Sequence, residues 1–62
     1  MDTKKIKKLM IDLDLSMAEL ARRAGYTRQH TSRVLYGRYW SEAAERRILR
    51  AVAAAQHERR AA

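Results

Sequence analysis

Leu20-Ala21-Arg22-Arg23-Ala24-Gly25-Tyr26-Thr27-Arg28-Gln29-His30-Thr31-Ser32-Arg33-Val34-Leu35 is the stretch that decides the fold of this 62-residue chain. Ala21 is small enough for a second helix to cross close above it. Gly25, four residues on, can take the positive φ that a sharp reversal between two helices needs. Thr31 and Val34 then place a stripe on the inner face of the second helix. Its outer face is left with Arg28, Gln29, Ser32 and Arg33. The pattern predicts a helix-turn-helix over about residues 16–37, with outward side chains of the types that hydrogen-bond guanine and adenine edges.

Working outward, the rest of the chain reads as helix. Ile6, Leu9, Met10 and Leu13 fall at i, i+3, i+4 and i+7, which predicts a first helix from about Thr3 to Leu13. Asp14-Leu15 makes a short connection with Leu15 turned inward. Ser16 and Glu19 form a Ser-x-x-Glu capping box at the start of the second helix, with Leu15 and Leu20 as a hydrophobic staple. Thr27 caps the third helix, which runs to about Tyr36 and stops at Gly37. After the loop Arg38-Tyr39-Trp40, Ser41 caps a last helix with Glu42 and Glu45 in its first turn, where negative charge suits the dipole. Ala44, Ile48, Ala51, Val52 and Ala55 form its inner stripe, with Leu49 at the edge. The pattern fades after Ala55, so the tail from Gln56, and residues 57–62 above all, is expected to fray. Trp40 is expected in the core or an interface, closing the gap between the third helix and the last.

Composition agrees with a single all-α domain over 1–62. Cysteine and proline are absent and glycine occurs twice. No disulfide or thiolate metal site can then stabilise so small a body, which must rely on helix packing. No apolar run reaches the length of a membrane span, and Asp12 and Asp14 interrupt what could be a signal sequence. The expected setting is the cytoplasm of a bacterial host, in association with the nucleoid.

The net charge of +7 is unevenly spread. Residues 1–15 carry four Lys against three Asp, residues 16–40 five Arg against one Glu, and residues 41–62 five Arg against three Glu, giving +1, +4 and +2. The excess sits on the helix-turn-helix, where a phosphate-binding surface would need it. The Lys cluster at 4, 5, 7 and 8 reads as a solvated face or as a source of flanking phosphate contacts.

Ala18-Glu19-Leu20-Ala21, then Gly25, Thr27 and Gln29, then Val34 and Gly37, closely resemble the helix-turn-helix of the lambda-type phage repressors, the Cro/CI family. The resemblance covers roughly residues 16 to 38. It implies a compact body of four or five helices and a small phage or prophage transcriptional regulator. The chain departs from the family at Thr31, where Val or Ile is usual. It is also short, so the usual fifth helix is missing or merged into the last one.

A helix entering the major groove presents its N-terminal residues to base edges, which nominates Arg28 and Gln29, with Arg33 one turn beyond Gln29. The resemblance adds Ser32 as a base contact and Thr27 as a cap that also meets phosphate. It places Arg38 where the family's loop approaches the DNA backbone. Tyr39 is a further phosphate candidate, and Tyr36 and Tyr39 otherwise read as packed surface aromatics. His30 reads as a partly exposed neutral side chain, and His57 implies nothing specific. No Ser has a plausible base and orienting acid, and the His and acids lack metal-ligand spacing, so neither catalysis nor a cofactor is expected. The expected partner is double-stranded DNA, bound by a homodimer at least on the DNA, with no small-molecule ligand and no membrane. The expected action is promoter occlusion by a repressor. The alternatives are a small antitoxin-like or phage partner protein and a non-specific nucleic-acid-binding module.

Overall fold

Every helix of this chain starts on a side chain that caps it. A computed structural model describes residues 2–61 as α1 (Thr3–Asp12), α2 (Met17–Ala24), α3 (Arg28–Leu35) and α4 (Glu42–Ala61), with no strand among the described residues. Asp2 accepts from the Lys5 amide at 3.2 Å, Ser16 Oγ from Glu19 at 3.1 Å, Thr27 Oγ1 from His30 at 3.1 Å and Ser41 Oγ from Ala44 at 3.0 Å. Each bond satisfies one of the amide donors that a helix leaves unpaired at its N-terminus.

The first three helices also end alike. Asp14, Gly25 and Gly37 take φ of 54°, 79° and 74°. Around each, the chain closes with two hydrogen bonds back onto the last turn. At Gly25 these run from its own amide to the Arg22 carbonyl (3.3 Å) and from the Tyr26 amide to Ala21 (2.9 Å). The equivalents are Asp14 to Ile11 (3.1 Å) with Leu15 to Met10 (2.8 Å), and Gly37 to Val34 (3.1 Å) with Arg38 to Arg33 (2.9 Å). This Schellman closure satisfies otherwise orphaned carbonyls and turns the chain sharply. α1 and α3 therefore each stop one residue before Leu13 and Tyr36, the ends expected from the pattern.

The four helices bury one core of Ile6, Met10, Leu15, Leu20, Ala24, Val34, Leu35, Ala44, Ile48, Ala51 and Val52. α2 packs on both α3 and α4, and α1 covers the remaining sides of α3 and α4. The predicted inner stripe of α4 is there, with Ala55 half-buried at its end and Leu49 at the edge.

Three expectations need correction. α4 does not end where its apolar pattern fades but continues unbroken to Ala61, leaving only Ala62 of the tail outside the described residues. Ala, Gln, Glu and Arg are all good helix formers, and Glu58 pairs with Arg23 of α2, which ties the tail to the body. One helix of 20 residues thus holds the whole tail, and there is no separate fifth helix among the described residues. Trp40 is not a core residue. It is 62% exposed, and its indole N–H donates to the Glu45 carboxylate at 3.1 Å. The polar indole edge finds its hydrogen-bond partner at the surface, on the first turn of α4. The capping box is only half made. Ser16 caps Glu19, but the Glu19 carboxylate turns to Arg22 and Arg23, because a charge-assisted bond outweighs one to a neutral amide.

At Gly25 an added Cβ would meet only the Arg47 guanidinium, at 3.6 Å, so the demand for glycine comes from backbone conformation rather than space. Gly25→Val should therefore destabilise the domain by about 1–3 kcal/mol, the cost of a β-branched residue in the left-handed region. Thermal melting checks this, and an unchanged melting temperature would contradict the role of the turn.

Candidate nucleic-acid interface

α3 is an eight-residue helix divided cleanly by its packing. Thr31, Val34 and Leu35 are buried against the other helices, whereas Arg28, Gln29 and Arg33 are exposed and Ser32 is half-buried. Thr31 has no accessible surface, yet its hydroxyl is satisfied, since Oγ1 donates to the Thr27 carbonyl at 3.0 Å. The chain thus keeps the β-branched shape at this inner position without stranding a polar group.

Five of the seven nominated residues come together. Arg28, Gln29, Ser32, Arg33 and Arg38, with Tyr36, line one shallow open groove of about 780 Å³. Arg38 reaches it because Gly37 reverses the chain and the Arg38 amide bonds to the Arg33 carbonyl. Thr27 lies at the head of the helix, with its Oγ1 already accepting from the His30 amide. Tyr39 does not line the groove. Its ring rests against His30 instead, with centroids 4.8 Å apart, and His30 in turn meets Tyr26 at 4.5 Å. Tyr36 is exposed, with the Lys7 ammonium 4.2 Å from its ring centroid, so α1 contributes a cation at the groove's edge. Neither the Lys7–Tyr36 contact nor the Tyr26–His30–Tyr39 stack has a local signal in the sequence, since each joins residues from separate elements.

Charge is partitioned across the fold. Residues 20–41 contain five Arg and no Asp or Glu. Arg22 and Arg23 of this run lie on α2 and are paired. Both bond the Glu19 carboxylate, Arg23 Nε at 3.0 Å, and Arg23 also bonds Glu58 of α4. On α4, Arg46 faces Glu42 at 3.9 Å. Arg28, Arg33 and Arg38 have no carboxylate partner among the described residues. The α3 groove therefore carries three unneutralised arginines, whereas both arginines of α2 are paired; Arg47, Arg50, Arg59 and Arg60 of α4 form a second set with no carboxylate partner among the described residues.

The pairing shifts titration in the expected sense. The Arg22 hydrogen bond, more than any other contact, holds the Glu19 carboxyl below the usual carboxylate range, with Arg23 acting in the same direction. Glu58 is lowered chiefly by its hydrogen bond to Arg23, whose own guanidinium is held protonated more firmly by the same bond.

Among the described residues no group of three or more His, Cys, Asp or Glu could hold a metal ion, and no helix is long and apolar enough to cross a membrane. Comparison of the chain with protein-family models, curated proteins and solved structures gives no match.

A carboxylate whose folded pKa is depressed adds stability above its unfolded pKa, and that contribution is lost as the pH falls through the folded value. Amide protection in the last two turns of α4 should accordingly drop as the pH is taken from neutral to below the usual carboxylate range, where Glu58 takes up its proton. Glu58→Gln should show the weakened protection already at neutral pH and lose most of the acid dependence. Hydrogen exchange by NMR decides it. Protection that is the same at both pH values in the parent chain would contradict the tether.

Proposed function

We propose that this chain is a sequence-specific double-stranded DNA-binding transcription regulator that reads the major groove with α3, in the manner of the lambda-type repressors it resembles. The observation that carries this is the acid-free groove, in which Arg28, Gln29, Ser32, Arg33 and Arg38 lie together with no carboxylate to neutralise them. Arg pairs bidentately with guanine O6 and N7, and Gln with adenine N6 and N7, while an Arg beyond the helix end suits a phosphate. Eight helical residues span about 12 Å, close to the width of the major groove.

Thr27 keeps a hydroxyl proton that can donate to phosphate while its oxygen caps α3. Tyr39 lies on the flank, where its hydroxyl is the group left to reach the backbone of the duplex. The chain would bind as a homodimer on an inverted repeat, one α3 in each of two successive major grooves, with half-site centres about 34 Å apart. Occupying a promoter in this way excludes polymerase, which makes repression the natural outcome.

Selection of bound duplexes from a random pool should return an inverted repeat. On that site Arg28→Ala should cost about 1–3 kcal/mol and relax the preference at one base pair, while binding to random duplex changes much less. Equal losses on both would make Arg28 a phosphate contact. A pool that never enriches would contradict sequence-specific binding altogether.

A further inference from the structure

The proposed DNA contacts use one side of α3 and the loop after it, but they leave unexplained a stack of side chains on the neighbouring flank. Arg47 of α4 lies over the Tyr26 ring, 5.1 Å from its centroid. Tyr26 meets His30 at 4.5 Å, and His30 meets Tyr39 at 4.8 Å, both tilted by 54–57°. Four elements are joined this way: α4, the turn before α3, α3 itself, and the loop that carries Arg38. Tilted aromatic pairs at these separations are attractive contacts with a preferred geometry.

At Arg38 and Tyr39 the loop is held in two ways, and farther along the Trp40 indole N–H bonds the Glu45 carboxylate of α4. The Arg38 and Tyr39 amides both donate to the Arg33 carbonyl, at 2.9 and 3.3 Å, and the Tyr39 ring sits on His30. Beyond it, Trp40 is exposed, and Gly37 before it occupies the left-handed region. The backbone bonds fix where the loop leaves α3. The ring contact fixes its direction, with Arg38 between the two anchors. Tyr39 is thereby held on the flank of α3 while Arg38 lines the groove.

We infer that His30 is a positioning residue: clasped between Tyr26 and Tyr39, it holds the loop so that Arg38 meets a DNA phosphate, without itself touching DNA. This rests on the proposed reading of the α3 face as a DNA contact. It assigns to His30 a role that depends on the ring rather than on a proton or a hydrogen bond. Phenylalanine should therefore replace it, and alanine should not.

Two measurements on the full chain test this. Without DNA, hydrogen exchange at the Arg38 and Tyr39 amides should speed up several-fold in His30→Ala and return to the parent rate in His30→Phe. With duplex DNA, the slope of log K against log salt should become shallower by about one unit per subunit in Arg38→Ala, the loss of one phosphate contact. His30→Ala should show much of the same loss, the double variant no more than Arg38→Ala alone, and His30→Phe the parent slope. Melting temperatures show that each variant remains folded. Additive effects of the two alanine substitutions, failure of phenylalanine to rescue, or an unchanged slope in either single alanine variant would overturn the inference. If the parent chain shows no salt-dependent binding, the DNA-contact reading falls, and the positioning of Arg38 on phosphate falls with it. The exchange rates still decide separately whether the stack fixes the loop.

Discussion

The hydrogen bond from the Tyr26 amide to the Ala21 carbonyl, closed across Gly25 at positive φ, sets the geometry on which the rest of the molecule depends. It ends α2 and turns the chain so that Thr27 can cap α3 at once. It also presses the Thr31, Val34 and Leu35 side of α3 into the core. Once that side is buried, the helix has no freedom in which face it shows. Arg28, Gln29 and Arg33 are outward because the other side has been spent on packing. The same closure at Gly37 returns the loop toward the helix, bringing Arg38 into the groove with Arg28, Gln29, Ser32 and Arg33.

Electrostatics follows from this packing. Seven acids serve fourteen Lys and Arg side chains, so about half the cations can be neutralised by neighbours. Three of the acids, Glu19, Glu42 and Glu58, pair with Arg22, Arg23 and Arg46, while Asp2 is occupied as a helix cap. These surface pairs contribute little stability individually. Their larger effect is on distribution: charge is cancelled along α2 and left standing on the groove of α3 and on much of α4. In the proposed reading the groove, free of carboxylates, is the basic face whose side chains can also read bases.

Much of the fold is legible in the sequence because its punctuation is local. Ser16, Thr27 and Ser41 mark helix starts by bonding backbone three residues away, and Gly25 and Gly37 mark ends by backbone freedom. The inner stripe of α4 and the buried Leu15 follow from helical periodicity. What the sequence does not disclose depends on partners distant along the chain. Glu58 links the end of α4 to α2 by reaching Arg23, 35 residues earlier. Trp40 stays outside, with its indole N–H bonded to Glu45 of α4, five residues on. Arg28, Gln29, Ser32 and Arg33 are placed on the outer face of α3 by spacing, whereas Arg38 follows only from the resemblance. Tyr39 could not be placed, because its position depends on a ring in the preceding helix.

In the proposed reading, DNA binds the α3 groove rather than the basic surface of α4. Chemical-shift mapping of the isotopically labelled chain with a selected duplex tests it most directly, following backbone amides and arginine side-chain signals together. The expected result is that the largest changes fall on Arg28, Gln29, Ser32, Arg33 and Arg38, with Arg46, Arg50, Arg59 and Arg60 nearly still. Changes centred on those four arginines of α4, with α3 unmoved, would contradict the account.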